Sequence, residues 1–203
     1  MDDETKATND VEAEIIAQVL SGGVEAFRHL MEKYRGFVAS IVKKHVPPAD
    51  LEDNMQEVFL RVYRSLATFK GEGGIRPWLS MIAIRTCYDY WRSRYKHREV
   101  VVSSLSDRHE EWLEAALAGA SSRLFLKETA RQEAREVLEW AMGMLSAGDR
   151  MVLELVYFED KSIRDAAELL GWSTVNVKVR LFRARKKLQA LLTQASLQQR
   201  GGV

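Results

Sequence analysis

Between residues 162 and 192, apolar side chains recur at helical spacing, stop at a single glycine and resume. Ile163, Ala166, Ala167, Leu169 and Leu170 mark one face of a short helix. Val177, Leu181, Ala184 and Leu188 fall at i, i+4, i+7 and i+11 of a second helix. Gly171 stands between them, where two helices must turn sharply and a positive φ is needed. Ser162 is placed to cap the first helix, and Ser173 or Thr174 the second. Trp172 is placed to plug the junction, and the small Ala166 and Ala167 allow close approach. This pattern predicts a helix-turn-helix whose second helix enters a major groove. The faces left over carry Asn176, Lys178, Arg180, Arg183, Arg185, Lys186 and Lys187. Arginine reads guanine edges bidentately and asparagine favours adenine; the other cations suit phosphates. A basic amphipathic helix packed on a protein partner is the alternative at this point.

The rest of the chain is also helix-forming. Its 203 residues include only three prolines, Pro47, Pro48 and Pro77. Apolar residues make up 46% of the sequence, enough to bury real cores. The expected fold is all-α, with two small helical domains joined by a linker. The boundaries read as an acidic tail over 1–10, a first domain over 11–98 and a linker over 99–128. A second domain covers 129–194 and a tail 195–203.

Within the first domain, Ser21, Gly22 and Gly23 break a short leading helix. Phe27, Leu30, Met31, Tyr34, Phe37, Val38, Ile41 and Val42 then trace a helical core face. Pro47 and Pro48 stop that helix. Asp50 is a plausible N-cap for the next, which carries Leu51, Met55, Val58, Phe59, Val62 and Leu66. Three glycines within residues 71–74 demand a loop. Pro77 suits the first position of a further helix bearing Trp78, Leu79, Ile82, Ala83, Cys87 and Tyr90. Trp78 and Cys87 are expected in the core. In the linker, Trp112, Leu113, Ala116 and Leu117 suggest a short amphipathic helix over 110–117. In the second domain, Val137, Leu138, Ala141, Met144 and Leu145 form one helix face, and Ser146 caps the next helix.

Net charge is only +1, but the distribution is uneven. Residues 2–14 hold six acids and one lysine, whereas residues 174–203 hold seven basic residues and no acid. A second cluster comprises Arg85, Arg92, Arg94, Lys96 and Arg98, interrupted by Asp89. Such asymmetry is the electrostatic footprint of a nucleic-acid binder.

Other classes are disfavoured. A single cysteine excludes an internal disulfide framework. The histidines His29, His45, His97 and His109 show no ligand spacing, so no metal is assigned. No phosphate-binding glycine loop, dinucleotide fingerprint or nucleophile elbow is present. The expectation is a non-enzyme with no cofactor and no small-molecule substrate. No apolar run approaches the roughly 18 to 20 residues of a membrane helix. The acidic, polar opening lacks a leader pattern, so a cytoplasmic protein without membrane insertion is expected.

Both domains together resemble a known pair. In the first, the resemblance rests on Ala26, Phe27, Leu30 and Tyr34, and on Asp53, Gln56, Glu57, Val58, Phe59, Leu60 and Arg61. Phe69 with Gly71, Trp78 with Leu79, Ile82 with Ala83, and Asp89, Tyr90 and Arg92 continue it. In the second it rests on Leu153 and Leu155, the run Ala166 to Gly171, and the set Val177, Lys178, Arg180, Leu181, Arg183, Ala184 and Arg185. The chain resembles bacterial RNA polymerase sigma factors of the extracytoplasmic-function (ECF) subgroup, over nearly all of residues 26–192.

That resemblance implies a sigma factor that binds core RNA polymerase and directs initiation by recognising −10 and −35 promoter DNA elements. Asp53, Gln56 and Glu57, one helix face by spacing, would bind the polymerase. Phe69, Lys70, Glu72, Gly73, Gly74, Arg85, Asp89 and Arg92 would serve −10 recognition and melting. Asn176, Lys178, Val179, Arg180, Phe182, Arg183 and Lys187 would serve the −35 element. Relatives are commonly held by an anti-sigma factor, whose identity here the residues do not reveal. Departures from the family pattern include Arg85 where many relatives carry Asn, and Ser146 where they carry Pro. Val175 and Asn176 replace Gly-Thr, and Val179 replaces Ser and is suited to a thymine methyl. The competing reading is a stand-alone helix-turn-helix regulator, which has no need of the Asp53 face or the glycine loop.

Overall fold

The computed structural model describes residues 13–71, 73–98 and 135–200, with the side chains of 96–98 and 194–200 left aside. Glu72, the 1–10 tail and the 99–128 linker with its expected 110–117 helix lie outside the described residues. Among the described residues there is helix and no strand. The described helices fall into two stretches of chain, a first unit over 13–98 and a second over 135–200.

In the first unit, residues 13–20 form α1. Helix α2 spans Val24–His45, α3 spans Leu51–Ser65 and α4 starts at Ile75 in the span Ile75–Arg98. Helix α2 buries Ala26, Leu30, Tyr34, Val38, Val42 and His45, a four-residue recurrence that keeps one face inward. It stops at Val46, which is extended at φ −126° and ψ 152°, as a residue before proline must be. Pro48–Asp50 form a 3₁₀ turn leading directly into α3. Met55, Val58, Phe59 and Val62 are the buried apolar face of α3. Leu66, Ile75, Leu79 and Ala83 close the core from beyond it. Each fully buried Val or Leu there contributes about 1.5–3 kcal/mol.

Some local expectations shift. The Asp50 side chain makes no capping bond to α3; its Oδ2 accepts the Tyr90 hydroxyl at 2.8 Å. The 3₁₀ turn has already taken over the start of α3, and Asn54 Nδ2 donates to the Asp50 carbonyl at 2.8 Å. Pro77 is the third residue of α4, still within the first turn, where no amide donor is required. Phe27 and Phe37 are half-buried rather than core: Phe27 meets Tyr63 edge-on at 4.9 Å, and Arg76 lies over the Phe37 ring. Cys87 is buried, as expected.

In the second unit, residues 135–143 form α5. Helix α6 spans Ala147–Leu153, and Ser146 Oγ caps it by accepting the Asp149 amide at 3.2 Å. The helix then widens into a π-helical turn over Glu154–Phe158. Helices α7 (Ile163–Leu170) and α8 (Thr174–Arg200) complete the unit. Helix α6 packs on α8, burying Met151, Val152, Leu155, Val177, Leu181 and Ala184. From α6, Arg150 Nε donates to the buried carboxylate of Glu154, the first residue of the π turn, at 2.7 Å. Helix α8 runs past residue 194 to Arg200, with no glycine or proline within residues 174–200 to interrupt it.

Candidate nucleic-acid and protein interfaces

The helix-turn-helix is built by caps. Ser162 Oγ accepts the Asp165 amide at 3.1 Å, and the Asp165 carboxylate accepts the Ser162 amide at 3.3 Å and its hydroxyl at 2.7 Å. This reciprocal box starts α7. Gly171 adopts φ +70°. The Trp172 amide donates to the Ala167 carbonyl at 2.8 Å and the Gly171 amide to Glu168 at 3.1 Å, a Schellman termination. Ser173 Oγ accepts the Asn176 amide at 3.1 Å, so Ser173, rather than Thr174, caps α8.

Helix α8 turns Val177, Leu181 and Ala184 inward. Its outer side carries exposed Lys178, Val179, Phe182, Arg183 and Lys187. Val175, Val179 and Phe182 are 67%, 42% and 62% exposed and form an apolar strip among cations. Val175 was not among the sequence candidates, although its i, i+4, i+7 relation to the other two marks the strip. Arg180 points elsewhere. Its Nε donates to Asn176 Oδ1 at 3.1 Å and its Nη1 to Asp149 Oδ1 at 3.4 Å. The guanidinium thus holds Asn176 from one side and α6 from the other, a positioning arrangement rather than an outward one.

A capped α8 with a cationic outer face and an anchored inner face defines a DNA-binding protein of the helix-turn-helix class.

In the first unit, Asp53 and Gln56 are exposed on α3 and Glu57 is half-buried. Leu60, 42% exposed, continues the same face at i+7 from Asp53. Sequence reasoning left Leu60 out of both the core face of α3 and the docking set, and the observed exposure puts it beside them. Arg61, also uncounted among the candidates, joins two of them. Its Nε donates to Glu57 Oε1 and its Nη1 to Asp89 Oδ2, each at 2.7 Å. Burial pushes the Arg61 pKa down, but hydrogen bonds and charge from Asp89 and Glu57 outweigh it, leaving it above the usual arginine value.

The loop after α3 places its glycines in the left-handed region, Gly71 at φ 77°, Gly73 at 73° and Gly74 at 83°. Phe69 is half-buried and packs on Trp78 with ring centroids 5.1 Å apart. Trp78 is likewise half-exposed, so the expected core tryptophan is instead one half of an aromatic pair beside the loop. Lys70 and Arg92 are exposed, and Arg85 is half-buried one turn before Asp89. Glu72 is outside the described residues. Among the described residues, no His, Cys, Asp and Glu cluster is arranged to hold a metal. No described helix is long and apolar enough to cross a membrane.

Comparison with known proteins carries the class to a family. The family model for Sigma-70 region 2 matches residues 30–97, and that for Sigma-70 region 4 matches residues 135–188. The chain is 28% identical over 176 residues to the ECF RNA polymerase sigma-E factor of Escherichia coli K12, covering 86% of this chain and 90% of that one. It is 24% identical over 177 residues to the sigma-E factor of Haemophilus influenzae, covering 86% and 92%. Among solved structures it is similar to CnrH in complex with the cytosolic domain of CnrY, with TM-score 0.48, 26% identity and coverage of 89% and 96%. The chain belongs to the ECF sigma factors: it binds RNA polymerase and directs promoter-specific initiation of transcription.

Proposed function

We propose that residues 11–98 dock the chain on core polymerase and open the −10 element, and that residues 129–194 read the −35 element. The observation that carries this reading is the α3 face. Asp53 and Gln56 stand exposed beside half-buried Glu57, next to an exposed leucine, on a helix whose opposite face is core. A polar, acidic surface with one apolar contact suits a basic partner helix. A stand-alone regulator has no use for that face.

The roles follow from chemistry. The Phe69 and Trp78 rings and the glycine loop offer a surface on which an unstacked base can lie, with Lys70 for a phosphate. Arg85, Asp89 and Arg92 lie on the −10 helix and Gly73 and Gly74 in the loop, and the family resemblance alone assigns Glu72 to the same element. Lys178, Val179, Phe182, Arg183 and Lys187 face the −35 duplex, with Asn176 presented by Arg180. The chain acts without catalysis of its own and works in the cytoplasm, where its polymerase is. An anti-sigma partner belongs to the same proposal. The apolar groove of about 600 Å³ lined by Leu138, Met142, Leu153, Tyr157, Phe158 and Leu188 gives such a partner surface to bury.

The test is to mix the purified chain with bacterial core RNA polymerase on a sizing column at moderate salt. A stoichiometric complex is expected. A folded, uninhibited chain that elutes alone would move the reading to the stand-alone regulator.

A further inference from the structure

We propose that Arg61 is a positioning residue that couples polymerase docking to −10 engagement, by holding Glu57 and Asp89 with one guanidinium. The inference rests on the roles proposed above for those two carboxylates. They lie on different helices, α3 and α4, and the cation between them uses two separate donors, Nε and Nη1, each at 2.7 Å. Side chains of all three residues are 34–42% exposed, so each carboxylate is within reach of a partner and neither pair is sealed in the core.

A shared cation makes the two pairs competitors. When a basic surface engages Glu57, that carboxylate loosens its hold on Arg61, whose charge then falls to Asp89. Neutralised in this way, Asp89 repels the phosphates of an incoming strand less. When Asp89 is removed, Arg61 is left to Glu57 alone and masks it from the polymerase. Such coupling is reciprocal by thermodynamic necessity. It requires a fork with two separated donors. A lysine ammonium on its flexible stem is a point charge and does not reproduce that geometry.

The test is a cycle of polymerase affinities with the full chain and purified core enzyme. Glu57→Gln, Asp89→Asn and the double variant are measured with Arg61 and again with Arg61→Lys, and thermal unfolding is recorded for each. Asp89→Asn is expected to weaken core binding about threefold, the size suited to a pair one-third exposed. The effect is expected to vanish once residue 57 is Gln, and also with Lys at 61. A purely structural role for Arg61 predicts changed melting temperatures with additive affinities, which would overturn the proposal. An Asp89→Asn effect that persists with Glu57→Gln or Arg61→Lys would also overturn it. A wild-type chain that does not bind core polymerase would overturn the docking assignment itself, which the cycle separates from failure of the coupling alone.

Discussion

Arg180 donates through Nε to Asn176 Oδ1, one turn earlier on the same helix, at 3.1 Å. With that oxygen engaged by Arg180, Asn176 has its NH₂ donors to offer a base edge. A donor so left suits a base edge that accepts, such as guanine or the thymine O4, over the paired donor and acceptor of adenine. Arg180→Ala should therefore relax base preference at one −35 position in duplex binding. It should also cost about 1 kcal/mol of stability through the lost Asp149 pair, read by denaturant melting. Arg180→Lys should restore most of the stability and little of the preference.

Charge reversal on the α3 face should separate docking from folding. Asp53→Arg and Leu60→Asp touch exposed side chains and should leave unfolding within about 0.5 kcal/mol of wild type. Each should weaken core polymerase binding by about tenfold or more. Glu57→Arg is a poorer probe, since it puts a second cation beside Arg61. Unchanged affinity in the first two variants would remove the face from the docking surface.

The turn of the helix-turn-helix sits at a residue that needs glycine. Gly171→Ala should destabilise the chain by about 1–2 kcal/mol, the cost of a Cβ in the left-handed region. Ser162→Ala should cost about 1 kcal/mol through the lost cap. Asp165→Ala on top of it should add less than its own single effect, because both belong to one box. Chemical denaturation of the four chains measures this.

On the outer face of α8, Arg183 and Lys187 should behave differently. Arg183→Ala should weaken −35 binding by about 1–3 kcal/mol and relax one position if it reads a base. Lys187→Ala should weaken all duplexes alike and lower the salt slope by about one if it meets a phosphate. Titrations at several salt concentrations distinguish the two.

Stability from the Arg61 bridge should not depend on pH in the working range. A raised arginine pKa contributes stability that is fully present below the unfolded value and is lost only as pH rises through the folded one. Both lie above ordinary assay conditions. Melting curves of wild type and Arg61→Lys between pH 7 and 9 should thus differ by a constant amount, whereas added salt should shrink the difference.

The local signals were the legible ones. Ser146, Ser162 and Gly171 announce themselves because a cap or a positive φ is decided within a few residues, and the cap of α8 was narrowed to Ser173 or Thr174 on the same ground. The α8 stripe of Val177, Leu181 and Ala184 is equally local, being a spacing. What the sequence could not display were partners far apart along the chain. Arg61 reaches Asp89 across 28 residues and Arg180 reaches Asp149 across 31. Asp50 looked like a cap because its type favours one, yet Tyr90, 40 residues on, takes its side chain. Trp78 carries the same lesson for an apolar residue, since type predicts burial only on average. Of the candidate interfaces, the residue sets were visible in the family resemblance, while the guanidinium bridges that orient them were not.

The π-helical turn at Glu154–Phe158, closed by the Glu159 amide on the Glu154 carbonyl at 3.1 Å, is in effect one residue more than an α-helix would hold there. A wide turn of this kind is a place where chain length and register can be traded. Removing a single residue from it would let the backbone relax into ordinary α geometry without breaking the helix. The side chains beyond would keep their places on the helix, because the residue lost is the extra one that the wide turn holds. Tyr157 and Phe158 lie in the turn and line the apolar groove, so deleting either would take a ring from it and leave the capped helices that follow intact in themselves. One deletion would in this way redraw a protein-facing surface while leaving the letters of the DNA-facing one untouched.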